Sequence, residues 1–208
     1  MTQYRAAALV AFVLISACGQ GRLSLRKPAS AKLVSTDWRK VAMRGDLTRL
    51  YGWRDAFVKG LNAATLGGSA AKVVGEGALL QPDSALETSD LPAGRYRCRT
   101  IKLGGTTGFA TYPAFDCVVG NEGDVASLAK LSGSQRPVGL VFDHDRRRKI
   151  FLGTLMLGDE RTAIEYGRDP DRDMAGAIER IGPARWRLVL PYPRFESVVD
   201  IVELVPVS

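Results

Sequence analysis

The sequence predicts an α+β chain, mainly β, with N-terminal amphipathic helices packed on an antiparallel, up-and-down β-barrel of about eight strands. Three observations predict it. Up to Pro82, apolar residues recur at steps of three and four, the helical period. From Arg95 onward, short β-type runs alternate with Gly, Pro and Asp, a spacing that suits a barrel or, as the alternative, a β-sandwich. Cys98 and Cys117 lie on the first two of those runs, where a bridge would tie neighbouring strands.

The chain opens with Arg5, an apolar run from Ala6 to Ile15, and then Ser16-Ala17-Cys18. The run is too short to span a bilayer as a helix. The pattern is that of a bacterial lipoprotein signal, in which residues 1–17 are removed and Cys18 carries the lipid. The competing readings are an ordinary signal peptide with an incidental cysteine, or a buried helix. Residues 18–34 are polar and basic, are interrupted by Pro28, and read as a flexible tether. Such a tether reaches roughly 20 to 25 Å. Residues 35–207 are expected to form a single domain, helical over 35–82 and β over 95–205.

Within the helical part, Asp37 caps a short helix carrying Trp38, Val41 and Ala42. Gly45-Asp46 is expected to break it and offer a second cap. Leu47, Leu50, Trp53, Phe57 and Leu61 then form an apolar stripe, read as core, and Asp55 and Lys59 stand as an i,i+4 pair. A third, weaker helix is expected over 70–80, ended by Pro82.

Strands are expected near 95–103, 111–119, 125–131, 137–142, 149–157, 174–181, 185–191 and 198–205. Ile150, Phe151, Leu152, Leu155 and Met156 put apolar groups on both faces of one strand, which implies cover on both sides. Trp186, Leu188 and Leu190 share one face of another, with Arg185 and Arg187 opposite. The charged insert Asp143–Arg148 reads as a hairpin tip in water.

With Cys18 assigned to lipid, Cys98 and Cys117 form an even pair in an oxidising compartment and read as a disulfide. A bridge closing about 20 residues contributes on the order of 3 kcal/mol. A zinc site is disfavoured, because two cysteines and the single histidine do not complete a usual ligand set. If Cys98 faces Cys117 directly, Tyr96 faces Val119, Thr100 faces Phe115 and Arg99 meets Asp116. The turn then falls at Thr107-Gly108, within the glycine-rich run Gly104–Gly108. Ile101 and Leu103 break the alternation by sharing parity with the arginines. Either a bulge near Thr100 or helices covering the barrel's outer face would account for that.

Composition limits the function classes. The chain has 208 residues; removing 17 leaves 191, enough for one domain with a full core. Hydrophobic residues at 46% and charged ones at 25% are globular values. The net charge of +7 falls to +6 when Arg5 is removed. The basic residues are scattered and read chiefly as a soluble surface. In an envelope, anionic headgroups and cell-wall polymers are the expected counterparts, and nucleic acid is not.

Candidate chemistry is sparse. His144 is the only histidine and lies in the most polar turn. Ser132 and Ser134 lack the strand–elbow–helix context of a hydrolase nucleophile. Asp169-Pro170-Asp171-Arg172-Asp173 alternates carboxylates like a calcium loop, but Met174 and Arg180 stand where glycine and glutamate are required. A turn capped by Asp169 explains the same residues with less. Glu160, Glu165, Glu179, Glu196 and Glu203 are available as paired acids for glycoside chemistry, whose test is their separation in space. No phosphate loop or dinucleotide fingerprint is present, so no cofactor or metal is expected. Arg97, Arg99, Lys130 and Arg136 form the candidate patch for an anionic ligand, against the plainer reading of a solvated basic face.

Several motifs carry a resemblance: Tyr96-Arg97-Cys98-Arg99 with Ile101-Lys102-Leu103-Gly104, Tyr112-Pro113 with Phe115 and Cys117, and Lys130 through Gly139. Phe151-Leu152-Gly153-Thr154, Tyr166-Gly167-Arg168-Asp169-Pro170, Ile181-Gly182-Pro183, Arg185 through Pro191 and Phe195-Glu196-Ser197 continue it. Over about Asp37 to Val205 the chain resembles a bacterial family of secreted or lipid-anchored proteins with a domain of unknown function, number 4893. The resemblance implies envelope location and one domain, and transfers no catalytic residue.

The expected protein is thus a lipid-anchored envelope protein facing the periplasm, with the outer membrane ahead of the inner. Its expected role is binding of an envelope component, a small ligand within the barrel, or a partner protein. The alternative is a carboxylate-dependent envelope hydrolase, and a filled barrel would instead indicate a scaffold. The discriminating feature is the barrel interior.

Overall fold

The structure, a computed structural model, describes residues 35–207. The signal, tether and Cys18 expectations lie outside the described residues. Strand β1 (Gly94–Gly104) pairs antiparallel with β9 (Val199–Pro206), from Tyr96 opposite Pro206 to Leu103 opposite Val199. Between them β3 (Phe115–Glu122), β4 (Val125–Lys130), β5 (Gln135–Asp143), β6 (Arg148–Leu157), β7 (Asp173–Gly182) and β8 (Arg185–Pro191) follow as nearest neighbours. Eight strands therefore close as an up-and-down barrel, which excludes the sandwich alternative. Closure removes the outer edges of these eight strands.

The expected strand over 111–119 is two segments, β2 (Gly108–Thr111) and β3, sharing one edge of β1. Tyr112, Pro113 and Ala114 separate them and oppose only Arg99 and Thr100, so the extra residue lies here. It is not in β1, whose pairing with β9 runs unbroken through Thr100. The hairpin register also differs from expectation by two residues. Tyr96 faces Cys117 and Cys98 faces Phe115, with Arg97 beside Asp116. Cys98 and Cys117 are diagonal neighbours with Cα atoms 5.9 Å apart, and they are bonded. A bridge fixes only approximate proximity, so the direct-opposite assumption placed the register one pair too far along.

Inward side chains fill most of the barrel. Tyr96, Cys98, Val119, Leu128, Phe151, Ile178, Trp186, Leu188 and Leu204 belong to one buried cluster. One end is sealed by the segment before β1. Trp186 Nε1 donates to the Asp90 carbonyl at 2.7 Å, the Tyr96 hydroxyl donates to the Pro92 carbonyl at 2.6 Å, and Leu91 packs inside the same cluster.

Helices cover the outer face. Helix α1 (Trp38–Val41) is capped by Asp37, whose carboxylate accepts from Arg39 N at 3.1 Å. Helix α2 (Arg44–Tyr51) already includes Gly45 and Asp46, which were expected to end the first helix and cap the second; the break comes earlier, at Ala42 and Met43. Asp46 is fully buried and accepts from Arg49 and from the Tyr166 hydroxyl, a tertiary role that a local capping reading does not see. Trp38 and Leu50 pack on Phe142, Ile150, Leu152 and Ala175. This is the second cover on β6 that its sequence requires.

Helix α3 (Trp53–Ala64) lies on Ile101, Leu103, Val189, Val199 and Ile201, which explains the broken alternation in β1. Gly60 sits at the contact: a Cβ there would lie 2.6 Å from Val199 Cγ1. The third expected helix is α4 (Ala70–Gly75) followed by a 3-10 turn over Gly77–Leu80.

Candidate functional site

The end of the barrel opposite the sealed one is not filled. A half-open cavity of about 290 Å³ occupies it, between the C-terminal halves of β1, β4, β6 and β8 and the N-terminal halves of β3, β5, β7 and β9. Leu155, Met174, Leu190 and Val202 supply apolar lining, and Tyr112 and Phe115 line another part of it. Lys102, Lys130, Glu196 and Asp200 bring charge.

Strand pleat puts these groups there. Lys102 shares the inward parity of Tyr96 and Cys98, and its ladder partner on β9 is Asp200. Both are buried, with Lys102 Nζ 2.8 Å from Asp200 Oδ2 and 3.6 Å from Glu196 Oε2. The Ser197 hydroxyl donates to the other Asp200 oxygen. Burial pushes the Asp200 carboxyl above the usual carboxylate range, against the pull of Lys102 and Ser197.

Lys130 is the ladder partner of Cys117, at the end of β4, and only 8% exposed. Its Nζ donates to the Gln135 carbonyl at 3.0 Å and lies 4.5 Å from the centroid of the Phe115 ring. Among the described residues no carboxylate pairs with it. Burial first, then the charges of Lys102 and Arg136, push the Lys130 ammonium below its usual range, with Asp200 opposing.

The rim is held by strained and clamped backbone. In the β8–β9 loop, Tyr192 has φ 47° and Glu196 has φ 72°, left-handed values for residues with side chains. Each costs on the order of 1–3 kcal/mol. The hydroxyls of Thr106 and Thr107 donate to the Glu196 carbonyl at 3.4 and 3.2 Å. Gly105 has φ 64°, and a Cβ there would lie 2.3 Å from the same oxygen. The glycine-rich turn after β1 thus fixes the loop that carries Glu196 over the mouth.

The four residues of the candidate patch do not converge. Arg97 faces outward, pairs with Asp116 at 2.6 Å and bonds the Ala114 carbonyl. Arg99 also faces outward, held between Glu76 and Glu203. Lys130 lies in the cavity, and Arg136 is near enough to influence it. Arg136 is spent on the carbonyls of Gly133, Gly158 and Glu160, tying the β4–β5 turn to the β6–β7 loop.

The carboxylates separate in the same way. Glu160 is held below the usual range by Arg172 and by the Leu157 N–H. Glu165 pairs with Arg168 in a surface loop, Glu179 is buried with Arg187 and Arg148, and Glu203 joins Arg99 and Arg185. Of the five, only Glu196 lines the cavity; the second acid there, Asp200, was missed. An acid between Val199 and Ile201, of opposite parity to Glu203 on the same strand, was the available signal, as was a lysine in phase with Tyr96 and Cys98.

His144 stands at the β5–β6 tip, its ring 5.4 Å from Trp38. Ser132 accepts from Asp116 N at 3.4 Å, while Ser134 reaches the cavity rim. Asp169 accepts from Asp171 N at 3.0 Å in a local turn. Among the described residues no group of three or more His, Cys, Asp or Glu side chains is placed to hold a metal ion.

Fold and site together define a small β-barrel, sealed at one end and open at the other onto two buried lysines. The chain belongs to the family described as Domain of unknown function (DUF4893), whose model matches residues 38–204. No curated protein and no solved structure matches it.

Proposed function

We propose that this chain is a binding module whose ligand is a small amphipathic anion seated in the barrel mouth. The observation that carries the reading is Lys130, a buried ammonium without a carboxylate partner among the described residues, at a cavity with apolar walls. A ligand anion would supply the missing counter-charge, and its apolar part would cover Leu155, Met174, Leu190 and Val202. Clamped loops and a disulfide one ladder position away support a rim shaped before the ligand arrives.

Glu196 and Asp200 share the cavity, which is what a hydrolase would need. Binding is favoured because both Asp200 oxygens are occupied, by Lys102 and Ser197, and Lys102 lies between the two acids. A carboxyl whose two oxygens already accept from Lys102 and Ser197 is held in place by protein groups and is not presented to a substrate.

We further infer that the module works in the cell envelope, tied to a membrane through lipid on Cys18. The signal-like N-terminus and the Cys98–Cys117 bridge support this address. Attachment of a labelled fatty acid, lost in Cys18→Ser, is the expected result; an unlabelled wild type would remove the address.

The binding test uses anilinonaphthalene sulfonate, an aromatic anion that fluoresces when sheltered, displaced by 4-methylpentanoate. Lys130→Met should weaken both ligands roughly tenfold, the loss of one charge-assisted hydrogen bond. Equal affinity in wild type and variant would refute the site.

A further inference from the structure

We propose that Lys130 forms a reversible imine with a ligand that carries an aldehyde or ketone beside its anionic group. This rests on the reading of the barrel mouth as a ligand site. Four features of the site support it.

First, Nζ reaches the cavity from the end of a strand whose neighbours on both sides fix its position. Second, the amine is not committed to an ion pair. It bonds the Gln135 carbonyl and rests on the Phe115 ring, and a neutral amine can keep the first of these contacts. The other buried lysine, Lys102, is bound to Asp200 and is thereby excluded as the nucleophile. Third, burial and the neighbouring charges of Lys102 and Arg136 favour loss of the Lys130 proton, which frees the lone pair. Fourth, the half-exposed Glu196 carboxylate stands at the rim of the same cavity, where it can exchange protons with water.

The step balances without any oxidant or reductant. The Nζ lone pair forms a bond to the carbonyl carbon, whose π pair moves to oxygen. That oxygen takes a proton and the nitrogen releases one, giving a carbinolamine. The hydroxyl takes a proton, by way of the Glu196 carboxyl or water, and leaves as water while the nitrogen lone pair forms the C=N bond; the iminium nitrogen then releases its proton to the same carboxylate or to water. Amine and carbonyl become imine and water, and hydrolysis reverses the sequence. An acceptable ligand is a 2-oxo acid with a short apolar side chain: carboxylate near the cationic groups, ketone carbon at Nζ, side chain over Leu155 and Val202.

The experiment uses the whole protein with 4-methyl-2-oxopentanoate and cyanoborohydride, followed by peptide mass mapping. Reduction traps the imine as a secondary amine. Lys130 should be labelled faster than the exposed Lys40, Lys59 and Lys72, because a ligand seated in the cavity holds its ketone at Nζ while the exposed amines meet it only by collision. Lys130→Arg should lose that adduct, and in the wild type 4-methylpentanoate, which has the same shape and no ketone, should compete with the labelling of Lys130 and leave that of the exposed lysines unchanged. Should wild-type Lys130 be labelled no faster than the exposed lysines, the imine is overturned. Binding of 4-methylpentanoate in that case leaves the ligand site standing, and its failure to bind removes the site too.

Discussion

Arg187 is the side chain on which attachment of the helical segment to the barrel most depends, and replacing it with methionine measures that dependence. It projects from the outer face of β8 and is fully buried. Its guanidinium donates to Glu179 at 2.8 and 2.6 Å and to the carbonyls of Ala78, Leu79, Gln81 and Pro82 at 2.6 to 3.1 Å. The last four are backbone acceptors in and just after the 3-10 turn; those of Ala78 and Gln81 also accept from the Ser84 hydroxyl, at 2.7 and 2.6 Å. Arg187→Met keeps the apolar stem but leaves Glu179 with Arg148 alone and takes the guanidinium donor from all four carbonyls, of which Ala78 and Gln81 keep the Ser84 hydroxyl. Breaking a buried ion pair costs about 3–5 kcal/mol. Water reaching the exposed Gln81 offsets part of the carbonyl loss, so the same range is expected for the whole change. For a domain of this size that is a fall of roughly 10 °C in Tm. Urea unfolding followed by tryptophan fluorescence reads it directly, and the cost should persist at high salt because the pair is out of solvent. A variant within about 1 kcal/mol of wild type would show that the carbonyl cluster is not held by this side chain.

Three further outcomes are expected. Gly60→Ala places a methyl 2.6 Å from Val199 Cγ1 and 3.1 Å from Leu103 Cβ; overpacking of about 1–3 kcal/mol should outweigh the gain of about 1 kcal/mol in helix propensity. A rise in Tm would mean that α3 is not pressed on the barrel. Removing the bridge with Cys98→Ala and Cys117→Ala together should lower unfolding stability by about 3 kcal/mol, the entropy of a loop of this length; an unchanged denaturation midpoint would count against it. Lys130→Met should stabilise the protein near neutral pH. The folded state depresses the Lys130 pKa, so its contribution is favourable only above the unfolded value near 10.5 and is lost as pH falls through the folded value. The gain over wild type should therefore shrink between pH 7 and pH 10, by urea titration at both; a gap that widens with pH would reverse the sign of the argument.

The eight strands of the barrel, the helical lead and the double cover of β6 were legible in the sequence because each is written in local periodicity; the ninth, β2, was merged with β3. The bridge was legible from cysteine parity, although its register was not: diagonal and direct pairs satisfy the same proximity. Arg187 looked like an outward arginine on an alternating strand, and it is outward. Whether outward means water or the underside of a helix is not a local property, and here it means a fully buried fork.

The site divides along the same line. Lys130 was singled out from the chain, but with three arginines that the fold turns elsewhere. Lys102 and Asp200 lie 98 positions apart and meet only because β9 returns to close the barrel on β1. Periodicity along one strand determined which residues share a face and that the sheet would have about eight barrel strands. Closure of the sheet decided which face is inside, which charges meet there, and that one end stays hollow, because those depend on pairings between distant segments that no local pattern encodes.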